Sequence, residues 1–177
     1  MRLPDLLVYV AVAGLLLGGT FLLLHEGQRA YAIGVARVEV QQSTRLAVER
    51  MAVEIRNAGL SPSGIPFPAI GVAEPTRVTI QGDLDGDGAI GGSGERITYL
   101  LRGTTLRRDA GGGAQPVIDG VRSLQLTYLD ADRRATTVPD AVRTVVISIS
   151  AGPTHAWSLA AAGVVARVTT EVRLRNR

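Results

Sequence analysis

The residues best suited to chemistry are acidic and lie close together in the middle of the chain. Asp83, Asp85 and Asp87 alternate with other residues, and Gly88 follows them. This is the first half of the pattern D-x-D-x-D-G, in which carboxylate oxygens wrap around Ca²⁺ and the glycine allows a sharp turn. The seventh residue of such a loop, here Ala89, contributes its backbone carbonyl.

The second half of the pattern departs from a helix–loop–helix calcium site. The twelfth place, where a bidentate glutamate is expected, holds Gly94, and Glu95 follows one residue later. Three aspartates within five residues repel one another unless a cation relieves them, but Asp and Gly are also favoured in plain hairpin turns. Two interpretations therefore stay open: a polar turn, or a Ca²⁺ site formed by Asp83, Asp85, Asp87, the Ala89 carbonyl and Glu95.

The rest of the sequence lacks the marks of an active site. The chain has no cysteine, which excludes disulfides, zinc–thiolate sites and cysteine nucleophiles. Its two histidines, His25 and His155, are far apart, and His155 is expected in a loop. No nucleophile elbow or catalytic triad pattern is present. We therefore expect a protein that is not an enzyme.

The charge balance gives little reason to expect a nucleic-acid partner. The formal net charge is +3, and all 19 basic residues are arginine. A basic patch for DNA or acidic lipid can be imagined from Arg107–Arg108, Arg133–Arg134 and the arginines at 173, 175 and 177. Solvated sheet faces carry such residues routinely, so DNA contact is not the favoured interpretation.

The elements that position these residues begin with an apolar run from Leu6 to Leu24, in which Thr20 is the one polar residue. As a helix it spans roughly 28 Å, close to the hydrocarbon thickness of a bilayer. A retained membrane helix is the favoured interpretation. The alternatives are a secretory signal cleaved near Ala30–Ala32, for which the run is too long, and a buried core helix.

The helical pattern continues to Ala58, but its second half has apolar residues on one face only. Val48, Met51, Ile55 and Ala58 step by three and four residues and form one apolar stripe. Gly59 is a natural residue to end the helix. The sequence therefore predicts one helix of about fifty residues, apolar all round in its first half and amphipathic in its second.

Beyond the helix, residues 59–75 carry four prolines and are expected to form an irregular loop. The pattern then predicts strands separated by Gly- and Asp-rich turns, which favours a mostly antiparallel sheet covered by the 35–58 stripe. The fold class expected is α+β, with a long helix at 1–58, its transmembrane half at 6–24, and a β-rich head at 59–177. The predicted strands are 77–81, 95–102, 105–108, 121–129, 143–150 and 164–174.

Several motifs resemble type IV pilins and type II secretion pseudopilins. The start Leu3–Val8 resembles a processed pilin, and Ile55–Gly59 resembles the Arg-x-Ala-Gly that ends the long helix of PilW-type minor pilins and J-type minor pseudopilins. The acidic turn with the strand after it, the stretch Val121–Tyr128, and the closing Val172–Asn176 are also similar to that group. Together these motifs cover nearly the whole chain.

The resemblance implies a pilin-like fold and a structural role. The protein would be a minor pilin or pseudopilin that assembles through its N-terminal helix into a type IV pilus or a secretion-type filament. Before assembly it would sit in the inner membrane as a single-pass protein with its head outside the cytoplasm, and its partners would be other pilin subunits. An alternative is a membrane-anchored, monomeric, calcium-dependent binding module of the cell envelope.

The N-terminal residues differ from the family in two ways. Met1 stands where the first mature residue would be, without the short leader that the prepilin peptidase removes, and Asp5 replaces the usual glutamate. The resemblance implies that Asp5 pairs with the N-terminal ammonium of a neighbouring subunit and sets the axial register. The simpler interpretation is that Asp5 caps the helix, with Pro4 in its first turn.

Overall fold

The structure, a computed structural model, describes residues 3–154 and 163–176. One helix opens the chain, α1 (Leu3–Asn57), and a short 3₁₀ turn, Pro139–Ala141, follows β6. The strands are β1 (Ile70–Glu74), β2 (Arg77–Gln81), β3 (Arg96–Arg102), β4 (Thr105–Asp109), β5 (Gln115–Ile118), β6 (Val121–Leu129), β7 (Thr144–Ala151) and β8 (Ala166–Arg173). The loop expected around His155 lies outside the described residues.

The strands form two antiparallel sheets beside the helix. One sheet has the order β1-β2-β3-β4-β5 and the other the order β6-β7-β8. The predicted α+β class, a long N-terminal helix packed on antiparallel strands, is confirmed, but the expectation of a single sheet is wrong. The chain crosses between the sheets at Gly120, whose φ of +73° is left-handed and whose position leaves no room for a Cβ beside the Gly152 carbonyl.

Two strands were not predicted, and both lie at the edges of the larger sheet. β1 follows the proline-rich segment, contains Gly71, and has a register shift between Ile70 and Val72. β5 is only four residues long and contains Pro116. Edge strands tolerate proline and irregular pairing because one side needs no hydrogen-bonded neighbour. These features explain why neither segment was predicted as a strand.

The first half of α1 lies outside the head. All residues from 3 to 31 are exposed, and the helix is long and apolar enough to cross a membrane. The Thr20 hydroxyl donates to the carbonyl oxygens of Leu16 (3.1 Å) and Leu17 (2.9 Å), so it needs no partner from a lipid phase. The alternative of a buried core helix is therefore wrong.

The second half of α1 covers the sheets as the stripe predicts. Val48, Met51, Ile55 and Ala58 are all buried, with Met51 and Ile55 completely so. The helix packs mainly against β8 and β7. Buried Thr44 is satisfied within the helix by donating to the Val40 carbonyl at 2.6 Å. The division of the chain at residue 58 into helix and head stays a prediction.

Candidate functional site

Three segments that are distant in sequence meet at the C-terminal end of α1. Gly59, with a left-handed φ of +79°, ends the helix, and its amide donates to the Gln81 carbonyl at 2.8 Å. The Asn176 side chain donates to the carbonyls of Asn57 (3.1 Å) and Ala58 (3.2 Å). The amide of Arg175 donates to the Arg56 carbonyl at 3.0 Å. The end of the chain thus satisfies carbonyls that a helix terminus leaves without partners.

The acidic loop between β2 and β3 is anchored to this same junction. The amide of Asp83 donates to the Leu60 carbonyl at 2.8 Å, and the amide of Gly82 donates to the Glu95 carbonyl at 2.9 Å. The loop therefore starts and ends beside the turn that leaves the helix.

Asp83 is fully buried and held by three donors. The Ser63 hydroxyl donates to Oδ2 at 2.6 Å, and the amides of Gly86 and Gly88 donate at 2.8 and 3.2 Å. The Ser63 hydrogen bond is the main cause that lowers the pKa of Asp83, and the two amides add to it, although burial acts in the opposite direction. The carboxylate is thus charged at neutral pH.

Glu95 is held in the same manner at the other end of the loop. Its Oε2 accepts from the amides of Gly92 (2.6 Å) and Gly91 (3.1 Å), and its Oε1 accepts from Leu84 (3.0 Å). The Gly92 amide is the main cause that lowers the pKa of Glu95, followed by the Leu84 amide, while burial opposes them. Glu95 is also a buried anion.

Asp85 and Asp87 complete the group from the exposed side of the loop. Each accepts an amide two residues on through Oδ1, from Asp87 at 3.1 Å and from Ala89 at 2.7 Å. This is the local turn that aspartate favours. Their Oδ2 atoms make no hydrogen bond among the described residues 3–154 and 163–176.

The loop brings the four carboxylates predicted from the sequence together. Asp83, Asp85, Asp87 and Glu95 each offer an oxygen, and these oxygens all lie within 4.8 Å of one another. A carboxylate has about four acceptor positions, so Asp83 and Glu95, with three donors each, keep about one free. Such a cluster can bind a metal ion. The calcium role of the Ala89 carbonyl stays a prediction.

Sequence reasoning missed Ser63, which fixes Asp83. It lies 20 residues before Asp83 in the proline-rich segment, and nothing in its surroundings distinguishes it from other loop serines. Only the packing of that segment against the acidic loop brings the hydroxyl to the carboxylate.

Acid should weaken the head through Asp83 and Glu95. Both have pKa values below their ordinary values of 3.8 and 4.5. Their contribution to stability is therefore complete above those ordinary values and is lost as pH falls through the lower values of the folded state. We expect Glu95→Gln to be less stable than wild type at pH 7, with the difference shrinking below about pH 4. Urea unfolding of the full chain in non-ionic detergent, followed by near-ultraviolet circular dichroism, measures this. A difference that does not change with pH would contradict it.

Two of the arginines considered for a basic patch, Arg108 and Arg133, are each paired with a carboxylate in a different part of the head. Arg108 turns towards the helix, where its Nε lies 3.0 Å from the Glu54 carboxylate. That carboxylate also accepts from the Tyr99 hydroxyl at 2.8 Å. Burial is the main cause that raises the pKa of Tyr99, and its hydrogen bond to Glu54 adds to it. Arg133 pairs with Glu171 on β8 at 2.7 Å.

Pro4 and Asp5 lie in the first turn of α1. This position suits an acidic residue because the amides and the dipole at a helix start favour negative charge. The cap and the assembly role of Asp5 both stay predictions.

No protein-family model matches this chain, and no characterised protein matches it significantly. The assignment of function therefore depends on the residues and geometry of the chain itself.

Proposed function

We propose that the protein is a structural subunit of the minor pilin or minor pseudopilin kind. It would assemble through α1 into a type IV pilus or a type II secretion-like filament and present its β-rich head outside the cytoplasm. Before assembly it would be a single-pass inner-membrane protein. Its partners would be other pilin or pseudopilin subunits, and Asp5 would help to set their register.

The observation that carries the proposal is a second apolar stripe on α1, facing away from the head. It consists of exposed residues: Tyr31 (76%), Val35 (46%), Val38 (53%), Leu46 (66%) and Val53 (52%). At about 100° per residue they fall within an arc of about 80°, centred opposite the stripe that packs on the sheets. Gln42, Glu49 and Arg56 are exposed in the same arc, so the outward stripe is mostly apolar with three polar residues among its members. The sequence-based expectation of polar residues there is therefore incomplete.

This outward stripe continues the apolar surface of the first half of the helix. A helix that is apolar all round in its first half suits lipid or a bundle of similar helices. Beyond the membrane, lipid no longer covers Leu46 and Val53, and exposed apolar stripes on a head are typical of interaction sites. The helix of a neighbouring subunit would cover the apolar surface of both halves of α1. A protein that is only anchored in the membrane needs an apolar surface on the first half alone.

The junction at the end of α1 also supports the proposal. The three segments that meet there are Ile55–Gly59, the acidic turn beginning at Asp83, and Val172–Asn176. These are three of the motifs that resemble minor pilins. Their resemblance is thus concentrated in one structural unit instead of being scattered over unrelated surface loops.

Polar substitutions on the outward stripe should disrupt assembly. Burying a Leu or Val side chain contributes about 1.5–3 kcal/mol, so losing two should weaken association by at least about tenfold. We expect Leu46→Gln with Val53→Gln to stay in the membrane but to lose co-purification with other subunits after cross-linking in the native host. Quantitative immunoblotting of the cross-linked complexes measures this.

Arg50→Gln is the matched control, because Arg50 is exposed on the same helix but lies outside the outward stripe. It should assemble like wild type. If the double variant also assembles like wild type, the stripe is not an assembly surface and the proposal fails.

The acidic cluster favours a second candidate, a membrane-anchored calcium-dependent binding module. Oxygens on opposite sides of a Ca²⁺ ion are about 4.6–5.2 Å apart, because each Ca–O distance is about 2.3–2.6 Å. The oxygens of the cluster all lie within 4.8 Å of one another, so they fit within one Ca²⁺ coordination sphere. A monomeric protein whose outward-stripe variants behave like wild type would favour this candidate.

A further inference from the structure

The two sheets have four edges, and these differ in how open they are to another strand. β1 contains Gly71 and a register shift, and β5 is four residues long and contains Pro116. The outer edge of β6 is covered, because the Leu126 amide donates to the Pro75 carbonyl at 2.8 Å. Proteins commonly blunt or cover edges in these ways, since an open edge is a template for pairing with another chain.

The fourth edge, β8, has none of these protections. It pairs with β7 along its whole length of eight residues without a register shift, and it contains neither glycine nor proline. On its other side, no strand within residues 3–154 and 163–176 pairs with it. β8 is therefore a long and regular edge strand with an open side.

Alternate backbone groups of β8 point to this open side. In an antiparallel pair, residues that exchange hydrogen bonds alternate with residues that exchange none. The Leu174 amide donates to the Arg143 carbonyl at 2.9 Å, so Val172 is the next residue that bonds to β7. The residues whose amides and carbonyls face the open side are Arg167, Thr169, Glu171 and Arg173. Within the described parts of the chain these backbone groups form no hydrogen bond.

A groove lies between β8 and α1 beside this edge. Its volume is about 580 Å³, and its lining includes Val38, Gln41 and Arg45 of the helix and Val168 and Thr169 of the strand. Successive side chains of a strand point to opposite faces, so every second side chain of a strand added to β8 would lie on the helix side, at the groove. Recognition by strand addition uses this combination, because backbone hydrogen bonds supply affinity and pockets for alternate side chains supply specificity.

The charges along β8 favour an acidic partner. Glu171 is the one acidic residue in β6, β7 and β8, and it is already paired with Arg133 at 2.7 Å. Arg167 and Arg173 are exposed and form no ion pair within residues 3–154 and 163–176. Opposite charges across a strand pair stabilise it, and like charges destabilise it. A strand with acidic residues beside these two arginines is therefore preferred.

A second copy of this chain does not suit the edge. α1 runs in the same direction as β8, because residues 38–45 line the groove with residues 165–169, and the Asn176 side chain reaches the Asn57 carbonyl. Two β8 strands that pair about a two-fold axis are antiparallel, so their α1 helices would point in opposite directions. The two apolar halves could not then enter one membrane from the same side.

We propose that the open edge of β8 binds an extended segment of another protein, in which apolar and acidic residues alternate, as an added β-strand. The backbone of the segment bonds to the outward amides and carbonyls of β8. Its apolar side chains lie at the groove, and its acidic side chains lie beside Arg167 and Arg173. This activity goes beyond the proposed function and does not rest on it, because a filament subunit and a membrane-anchored monomer present the same edge.

Fluorescence anisotropy of a labelled octapeptide of alternating valine and glutamate, with the full chain in non-ionic detergent, tests the proposal. We expect saturable binding, and we expect the matching valine–lysine octapeptide to bind about tenfold more weakly. Binding of the valine–glutamate peptide should slow hydrogen exchange, followed by NMR, at the amides of Thr169 and Glu171. The amides of Val168 and Thr170 already bond to β7 and should change little.

Thr169→Pro removes an amide on the open side and should weaken binding of the valine–glutamate peptide at least about tenfold. Proline is tolerated in an edge strand where the amide faces solvent, so pairing with β7 should persist. Thr169→Ala is the matched control, because it removes the same side-chain contact with Ser148 but keeps the amide. It should bind within about twofold of wild type. Near-ultraviolet circular dichroism checks that both variants are folded.

Arg167→Glu with Arg173→Glu should reverse the preference, so that the valine–lysine peptide binds more tightly. Arg96→Glu with Arg102→Glu makes the same charge change at exposed positions of β3 and should keep the wild-type preference. The proposal is overturned if neither peptide binds wild type, if the two Thr169 variants bind alike, or if both charge variants change the preference equally. Dimerisation of wild type that Thr169→Pro abolishes would assign the edge to a second copy and would also overturn it.

Discussion

Ile55→Ala should lower the free energy of unfolding of the head by about 2–5 kcal/mol, the usual cost of truncating a buried isoleucine. Ile55 is completely buried, in the last turns of α1 where the helix covers the sheets. Removing three carbons leaves a cavity that neighbours fill only in part. Membrane insertion should not change, because the apolar run 6–24 lies outside the head. Urea unfolding in non-ionic detergent gives the first result, and membrane fractionation gives the second.

Val53→Ala is the control on the same helix, two residues earlier and on the outward stripe. Its side chain is 52% exposed, so the stability of the single subunit should change by less than about 0.5 kcal/mol. If both variants lost the same stability, the helix would not be docked on the sheets through the face that contains Ile55.

Of all the elements of the fold, the long helix α1 is predicted best from the sequence. Val48, Met51 and Ile55 repeat with helical spacing, and burial of that stripe follows directly from it. The outward stripe escaped prediction because its members are spread over three times the length. Tyr31, Leu46 and Val53 show their common direction only when a continuous helix through residue 53 is accepted.

Some strands could be predicted from the pattern of hydrophobic residues. The arrangement of the strands in two sheets could not be predicted from that pattern. β2 and β6 have the bounds that the pattern predicts, and β6 has a buried and a more exposed face, whereas Val78, Thr79 and Ile80 of β2 are all buried. The two sheets are joined by hydrogen bonds between residues that are distant in sequence. The amide of Leu126 donates to the Pro75 carbonyl at 2.8 Å, and the Tyr128 hydroxyl donates to the Glu74 carbonyl at 2.8 Å. Alternation within a strand carries no information on such contacts.

Some residues of the candidate site could be predicted from the sequence, and others could not. The aspartates and Glu95 could be named from their spacing, because a loop with this pattern must turn back on itself. Ser63 could not, since it reaches Asp83 only through tertiary packing. The basic patch that the sequence left as a less favoured interpretation cannot contain both Arg107 and Arg108, because they lie on opposite faces of β4, as neighbouring residues of a strand must. Arg108 pairs with Glu54 on α1 instead.

Calcium should stabilise the head if the acidic cluster binds it. Binding to the folded state alone adds RT ln(1 + [L]/Kd), about 2.7 kcal/mol at a hundredfold excess over Kd. The two exposed aspartates, Asp85 and Asp87, supply free oxygens, and the two buried carboxylates, Asp83 and Glu95, are already ordered by backbone amides. Calcium binding would therefore cost little conformational entropy in this loop. Thermal unfolding of the full chain in non-ionic detergent, with millimolar calcium or with chelator, measures the effect.

Asp85→Asn with Asp87→Asn separates a calcium site from a plain turn. Asparagine keeps the oxygen that accepts the amides of Asp87 and Ala89, so the loop should fold as before. In chelator the double variant should be at least as stable as wild type, because two of four clustered negative charges are gone. In calcium the order should reverse, since the variant loses two anionic ligands. If wild type shows no calcium shift, the loop is an ordinary turn, and if the shift survives in the variant, the ion binds elsewhere.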